Sequence, residues 1–287
     1  MKFKLICVSI AGLCISMALA AQTPAYQAAG VKPEPLPSQT GKAGETAEFN
    51  LARKILAPTG KLRVAVYRGS PTSIIPGQTP AESKGVGYDL GRELALRLGI
   101  PFEPVVFPKN ADSLAAVKAG AADITFTNAT PDRARDMDFS NPFLRVEQSC
   151  LVPSGSAIKS LQDVDVKGVR VGVSVGSTSQ KALGNRLKNA QVLAVPSLDQ
   201  AADMIKSGEL EAFATNKAIL YELSDRLPGS KVLEGAWGYE KFAAGIPKGR
   251  EGGLPLLNQF LSEAQQNGKI AQAVKRAGLR GTVPAEH

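Results

Sequence analysis

From residue 61 onward, hydrophobic and polar positions repeat with the two periods of regular secondary structure. Leu62, Val64 and Val66 occupy every second position, which predicts a β-strand. Leucines then recur at every fourth position over 88–98, which predicts a helix that Gly99 is placed to end. The same two patterns predict a strand at 104–107, a short helix at 111–119 and a third strand at 124–127.

This order of strands and helices is repeated in the second half of the chain. Apolar runs predict strands at 169–175, 192–195 and 211–215, and amphipathic runs predict helices after the loop at 176–178, at 198–205, at 216–227 and through the tail at 254–277. Alternating strands and helices are typical of mostly parallel sheets with helices on their faces. Two such units in succession predict an α/β protein with two lobes. Small-molecule sites usually lie in the cleft between lobes.

The first twenty residues have the features of a secretory signal peptide. Two lysines precede an apolar run over 5–19, and Ala18-Leu19-Ala20 places small residues at the positions that a signal peptidase recognises. The apolar run is shorter than the roughly 20 residues of a membrane-spanning helix, so a retained anchor is the weaker alternative. Cleavage after Ala20 removes two lysines and no acid, which lowers the formal net charge from +8 to +6.

The segment 21–59 is predicted to be a leader or linker. Pro, Gln, Gly, Ala and Thr dominate 21–44, a composition that disfavours regular structure. Residues 45–56 predict one short helix with Phe49 and Leu56 on the same side. The sequence alone assigns no role to this helix.

Composition argues against several classes of function. The single histidine is the last residue, His287, which disfavours histidine-based triads, histidine zinc sites and histidine general bases. After signal cleavage one cysteine remains, Cys150, so no internal disulfide is predicted. No block of five or more Lys or Arg residues occurs, and the mild basic charge therefore indicates a solvated surface rather than a nucleic-acid site. No metal or cofactor is predicted.

The segment Gly176-Ser177-Thr178-Ser179 is the first candidate for ligand binding. It lies between an apolar strand and a helix, where the N–H groups of the first helical turn, two hydroxyl groups and the positive helix end can hold a small anion. The alternative is that these residues only cap the helix.

The segment 127–133 is the second candidate and also follows a predicted strand. Thr130 is a suitable N-cap and Pro131 a suitable first helical residue, which would place Arg133 in the first turn of a helix. An arginine fork beside free N–H groups can bind a carboxylate with two parallel hydrogen bonds. The alternative is a surface arginine that pairs with Asp136 or Asp138.

Together these segments resemble the bacterial periplasmic solute-binding proteins of the polar amino acid type (family 3), which serve ABC importers. The resemblance covers about 62–277 and rests on the order and spacing of its motifs. They are the opening strand at 62–66, Gly87-Tyr88-Asp89-Leu90 with the helix after it, Gly120 to Asp123, the loop at 127–133, Asp138-Phe139-Ser140-Asn141-Pro142-Phe143, and Val171-Gly172-Val173 followed by Gly176-Ser177-Thr178.

The resemblance implies a two-lobed periplasmic-binding-protein-like α/β fold, each lobe a mostly parallel sheet flanked by helices, with two crossover strands as the hinge. The crossovers are expected near 148–152 and 242–246. Lobe 1 would then comprise 60–147 plus 244–287, and lobe 2 would comprise 148–243. The implied protein is periplasmic and monomeric, needs no cofactor, and delivers a small carboxylate-bearing solute to the membrane permease of an ABC transporter.

The resemblance also implies roles for individual residues. In that family an arginine at the position of Arg133 binds the α-carboxylate of the ligand, and the loop at 127–130 supplies hydrogen bonds. The helix end at Ser177 and Thr178 holds the same carboxylate from the other lobe. The expected ligand-binding residues, among which Tyr67 would either wall the cleft or only pack beside it, are Tyr67, Thr127, Asn128, Thr130, Arg133, Ser177, Thr178 and Asn216.

Asn216 departs from the pattern of the family, which usually has an acid here to receive the ammonium group of the ligand. Asn216 is neutral and Lys217 beside it is positive. Because a buried ammonium without a counter-charge is costly, this departure predicts a solute without a conventional α-ammonium group, or one neutralised by Glu211 or by a second carboxylate of its own. The alternative is that another acid, not evident from the sequence order, faces the cleft.

The leading prediction is a non-enzymatic binding protein, and two other functions share the fold. A periplasmic dehydratase of the prephenate/arogenate type would need a carboxylic acid in the cleft, for which Glu147 and Glu211 are the nearest candidates. A sensory ligand-binding module is the third function. The sequence shows no second transmembrane run or signalling domain that would favour it.

Overall fold

The computed structural model describes residues 46–283, so the predicted signal peptide at 1–20 and the predicted Pro-rich leader at 21–44 lie outside the described residues. Within this range the α-helices are α1 (Ala47–Leu56), α2 (Val86–Leu98), α3 (Asn110–Lys118), α4 (Thr178–Arg186), α5 (Leu198–Lys206), α6 (Lys217–Asp225), α7 (Leu254–Gln266) and α8 (Lys269–Ala277). The strands are β1 (Leu62–Tyr67), β2 (Phe102–Phe107), β3 (Ile124–Asn128), β4 (Met137–Phe139), β5 (Leu144–Val152), β6 (Arg170–Ser174), β7 (Gln191–Val195), β8 (Ala212–Asn216), β9 (Lys231–Val232), β10 (Gly238–Pro247) and β11 (Thr282–Val283).

The strands form one continuous sheet with parallel ends and an antiparallel centre. The order is β2-β1-β3-β10-β5-β8-β6-β7, with β4, β9 and β11 paired at the side of this path. Strands β1, β2 and β3 are parallel to one another, as are β6, β7 and β8. Between these two groups lie β5 and β10, which pair antiparallel from Phe242 opposite Leu144 to Gly238 opposite Gln148. The crossovers predicted near 148–152 and 242–246 lie within these two central strands.

Each parallel group has a hydrophobic core on both faces. In the first group, Leu90, Leu94 and Leu98 of α2 belong to a large cluster that also takes in α7 and α8, and a smaller cluster around Met137 covers the opposite face. In the second group Phe213 faces one cluster, and its strand neighbours Ala212 and Ala214 face the other. The fold is therefore α/β with two lobes, as the sequence predicts.

Most predicted helices and strands begin and end within two residues of the observed bounds. Gly99 ends α2 in the left-handed conformation, at φ 64°, because glycine carries no Cβ to oppose it. The predicted tail helix is two helices, since Gly268 interrupts it at φ 75°. The short helix predicted at 45–56 is α1, whose buried Leu56 packs so closely on Gly253 that a Cβ there would lie 2.6 Å from Leu56 Cδ2.

The buried carboxylate of Asp123 links three segments of the first lobe through hydrogen bonds to two arginines. The side chain of Asp123 is fully buried, and it accepts hydrogen bonds from Arg63 Nε (3.0 Å) and Nη2 (2.7 Å) and from Arg250 Nη1 (3.0 Å). Arg63 lies in β1, Asp123 precedes β3 and Arg250 follows β10. One acid therefore links three segments that are distant in sequence, and its hydrogen bonds raise the pKa of the Arg63 guanidinium.

The motif at 138–143 makes structural contacts with β10 and the residues after it. Asp138 pairs with Lys248 (2.6 Å), and Ser140 Oγ accepts a hydrogen bond from the backbone N–H of Ala244 (2.9 Å). The motif thus attaches β4 and the following turn to β10. On the neighbouring strand β5, Cys150 is buried in the core of the second lobe, and burial raises the pKa of its thiol to about 12.

Candidate functional site

The candidate residues gather where strands of both parallel groups end. Strand β3 ends at Asn128, just before Arg133, and strand β8 ends at Asn216. The loop after β6 leads into α4 at Thr178. The carboxyl ends of the strands in open α/β sheets are where ligands usually bind. In this chain the antiparallel strands β5 and β10 lie between the two groups of ends.

Arg133 lies in a short 3-10 helix, Arg133–Arg135, and the α-helix predicted from Pro131 does not form. Thr130 still caps the turn, because its Oγ1 accepts a hydrogen bond from the backbone N–H of Arg133 (3.2 Å). The turn closes at once because β4 begins at Met137 and pairs with β10. No room remains for a second helical turn.

The guanidinium of Arg133 is oriented by its own lobe. Nη1 donates to Thr127 Oγ1 (2.9 Å) and to the carbonyl oxygen of Asn128 (2.8 Å), so within residues 46–283 Nε and Nη2 have no hydrogen-bond partner. The alternative of a surface ion pair is not observed, because Asp136 pairs with Lys118 and Asp138 with Lys248. Burial lowers the pKa of Arg133, and the nearby Glu240 and Tyr67 partly offset this effect.

Tyr67 is half-buried at the end of β1, close enough to Arg133 to influence its pKa. Its hydroxyl lies 3.4 Å from Thr72 Oγ1, which in turn lies 2.7 Å from Ser70 Oγ. Ser70 and Thr72 are both buried. A chain of hydroxyl groups therefore leads from Tyr67 to Thr72 and Ser70, and sequence reasoning identified only its first member.

The loop before α4 combines the two alternatives that the sequence left open. Ser177 is an ordinary N-cap, since its Oγ accepts from the backbone N–H of Gln180 (3.1 Å). Thr178 instead donates its hydroxyl to Glu240 Oε1 (3.1 Å). In the first turn the N–H of Gln180 is therefore occupied, while those of Thr178 and Ser179 have no acceptor within their own helix and remain suited to an anion.

Glu240 is the functional candidate that sequence reasoning missed. It lies on β10 and is 8% exposed, and its pKa is raised, first by burial, against the effects of Asn216, Thr178, Arg133 and Gln148. Asn216 Nδ2 donates to Glu240 Oε2 (2.9 Å), while Asn216 Oδ1 caps α6 at the N–H of Ile219 (3.1 Å). The sequence signal that could have identified it is the alternation of buried and exposed positions at the start of β10, which places Glu240 on the same buried side as Phe242.

The other charged residues that the sequence suggested for the site form ion pairs with residues other than Glu240. Lys217 is buried and pairs with Glu147 (2.6 Å), and Glu211 pairs with Arg170 (2.5 Å). Lys217 therefore does not add an unpaired positive charge beside Asn216. Glu147 and Glu211, the acids that the sequence offered for a cleft enzyme, are thus both held in ion pairs.

The two candidate loops are in direct contact with each other. Lys181, one turn into α4, pairs with Asp132 beside Arg133 (2.5 Å), and this hydrogen bond is the first cause of the lowered pKa of Asp132. Both side chains are at least half exposed, so this ion pair lies at the protein surface. Glu240 connects the same two sides in the interior, since Thr178 is bonded to it and Arg133 is near enough to influence its pKa.

The described part of the chain offers no set of side chains for a metal centre. Residues 46–283 contain no cluster of three or more His, Cys, Asp or Glu side chains placed to hold a metal ion. In the same range, every helix is too short or too polar to cross a membrane.

The fold is that of solved two-lobed amino-acid-binding proteins. Residues 62–278 match the family described as bacterial extracellular solute-binding proteins, family 3. The chain belongs to this family, and the resemblance inferred from the motifs is confirmed.

Individual relatives agree with this assignment. The glutamine-binding protein of an ABC transporter in Bacillus subtilis is 29% identical over 147 residues, which is 51% of this chain and only 54% of that protein. A probable histidine-binding protein of Neisseria gonorrhoeae is 26% identical over 216 residues, 71% of this chain and 80% of that protein. Among solved structures, an ancestral amino acid-binding protein described as a precursor of cyclohexadienyl dehydratase has a TM-score of 0.66 at 24% identity and covers 78% of this chain and 98% of its own.

Proposed function

We propose that the protein is the periplasmic substrate-binding component of an ABC importer and that it closes on a small carboxylate-bearing solute. The observation that carries this proposal is the state of Arg133. Its guanidinium is held by Thr127 and Asn128, and a two-nitrogen edge remains without a partner among the described residues. This edge matches the two oxygens of a carboxylate.

The proposed site spans both lobes, with boundaries at 60–147 plus 244–287 for lobe 1 and 148–243 for lobe 2. The first lobe would contribute Tyr67, Thr127, Asn128, Thr130 and Arg133, and the second lobe would contribute Ser177, Thr178 and Asn216. A ligand that contacts both lobes favours the closed state by its differential affinity. Export by the signal peptide and delivery to a membrane permease complete the proposal, and the similarity to amino-acid-binding proteins, one of them from an ABC transporter, supports it.

Ligand-induced closure is the first testable consequence. Protein beginning at residue 21 would be screened by thermal shift against the common L-amino acids, L-cystine, succinate, L-malate and L-lactate. A ligand present at a hundred times its Kd should raise the Tm by about 5–10 °C. The same ligand should lower the radius of gyration in small-angle scattering, because both lobes close on it. A tight ligand that leaves the scattering curve unchanged would contradict a clamp between two lobes.

A dehydratase remains the second candidate, because Glu240 provides the buried acid that Glu147 and Glu211 do not. Burial raises the pKa of Glu240, which favours the proton-donating form that such chemistry needs. Incubation with prephenate and detection of phenylpyruvate tests it directly. A binding protein should give no turnover above buffer. Turnover that disappears in Glu240→Gln would replace the binding proposal with the enzymatic one.

A further inference from the structure

Glu240 is a buried acid whose hydrogen-bond partners are all uncharged. Its carboxylate accepts hydrogen bonds from Asn216 Nδ2 (2.9 Å), Thr178 Oγ1 (3.1 Å) and, at the limit of such contacts, Gln148 Nε2 (3.5 Å). No Lys or Arg nitrogen of residues 46–283 lies within 4 Å of it. Because a buried carboxylate is costly without a cation, the site favours either a proton or a positively charged ligand group.

Within the described part of the chain, Arg133 is a positive charge without an acidic partner, just as Glu240 is a negative charge without a cationic one. It is a half-buried cation whose free edge lacks an acid among the described residues, and its pKa is lowered by burial just as that of Glu240 is raised. Each charge influences the other without forming an ion pair. A ligand that carries a carboxylate for Arg133 and a cation for Glu240 would neutralise both buried charges at once.

The remaining polar groups explain the role of Asn216. Its amide donates to Glu240 and its carbonyl caps α6, so both ends of the side chain are used. An aspartate here would keep the cap but would place a second negative charge at the oxygen that now accepts from Nδ2. Asn216 therefore fits an acid on β10.

We propose that Glu240 receives the α-ammonium group of the ligand, and that the solute is therefore a zwitterionic α-amino acid rather than a simple organic acid. This inference rests on the proposed function. The sequence left two alternatives open, a solute without an α-ammonium group or a second acid that faces the cleft. Glu240 favours the second alternative. It is thereby a specificity-determining residue outside the motifs of the sequence.

The test compares pairs of ligands that differ only at the α-position. The L-amino acid with the largest thermal shift would be measured by calorimetry beside its 2-hydroxy acid, for example L-alanine beside L-lactate or L-aspartate beside L-malate. The wild type should bind the amino acid at least about 30-fold more tightly, because the hydroxy acid leaves Glu240 without a cation. Glu240→Gln should lose most of this preference while it retains the weaker affinity for the hydroxy acid.

Controls separate this inference from folding effects and from the underlying proposal. Glu234→Gln makes the same chemical change at an exposed position six residues earlier and should leave the preference intact. Asn216→Asp should weaken amino acid binding, although an acid at 216 would be the simpler way to create an ammonium site. Equal affinity for both members of a pair, with Arg133 still required, would overturn the inference alone. If no carboxylate binds at all, the proposed function fails first.

The dependence of binding on pH gives an independent readout. In the empty cleft the raised pKa of Glu240 means that the folded protein holds this proton more tightly than the unfolded chain does, so Glu240 adds stability as pH falls through its folded pKa. An ammonium group competes with that proton, so the Kd of the amino acid should rise as pH falls.

The neighbouring groups leave Glu240 as the source of this dependence. Arg133 is the charge that acts on it, while Lys181 and Lys217 on α4 and α6 are paired with Asp132 and Glu147. Calorimetry between pH 8 and pH 5 should show the rise in Kd in the wild type and in Glu234→Gln, and a much flatter profile in Glu240→Gln. Parallel profiles in all three proteins would contradict the inference.

Discussion

Arg133→Ala is expected to raise the Kd of the solute by roughly 30-fold to several thousand-fold, equivalent to about 2–5 kcal/mol. The loss is large because the ligand carboxylate would remain in the closed cleft without the guanidinium edge that neutralises it. Arg133→Lys should recover only part of the affinity, since an ammonium group cannot make two parallel hydrogen bonds. Calorimetry with the ligand identified by the thermal-shift screen measures both values.

The matched control lies two residues away in the same turn. Arg135 is 81% exposed and contacts Asp132 only at 3.7 Å, so Arg135→Ala should leave the Kd nearly unchanged. Because Arg133 also holds Thr127 and Asn128, the Tm of each variant without ligand must be compared. Unchanged affinity in a folded Arg133→Ala protein would remove Arg133 from the site and with it the main support for the proposed function.

The second large effect is expected in stability. Asp123→Ala should reduce the free energy of unfolding by about 3–5 kcal/mol, because it leaves the mostly buried Arg63 and Arg250 without their counter-charge. The cost is concentrated at one point, since this acid joins β1, the start of β3 and the segment after β10. Urea denaturation followed by circular dichroism at pH 7 measures the change.

Asp136→Ala provides the comparison for an exposed pair. Asp136 also forms an ion pair, with Lys118 at 2.8 Å, but both side chains are substantially exposed, and the expected loss is within about 1 kcal/mol. If the two variants unfold at the same urea concentration, burial does not distinguish these ion pairs, and the role given to Asp123 is wrong.

Local patterns were sufficient to predict the helices, the strands of the two parallel groups and one half of the candidate site. Arg133 could be singled out because it follows a strand and a capping threonine within six residues. The order of the β5 and β10 strands in the sheet was accessible only through the resemblance to a family. Their strand signals are weak, because charged residues interrupt the first half of each strand, Arg145 and Glu147 in β5 and Glu240 and Lys241 in β10.

Glu240 shows why the other half of the site could not be predicted. Its burial depends on β10 lying between β3 and β5, and its partners Asn216 and Thr178 are 24 and 62 residues away in the sequence. The same separation hid the neutralisation of Lys217 by Glu147, which lies 70 residues earlier. The net charge of a cleft depends on residues from segments that are distant in sequence. The neighbouring residues Asn216 and Lys217 therefore predicted a more positive environment than the fold creates, because Glu147 neutralises Lys217.

The buried thiol of Cys150 can serve as a built-in probe of local opening in the second lobe. While the lobe is intact, burial raises the pKa of this thiol and encloses it in the core, so an alkylating reagent meets neither the thiolate nor an accessible sulfur. In protein that begins at residue 21 no other cysteine competes for the reagent. The rate of alkylation would then report how often the core around β5 exposes its interior, without any introduced label.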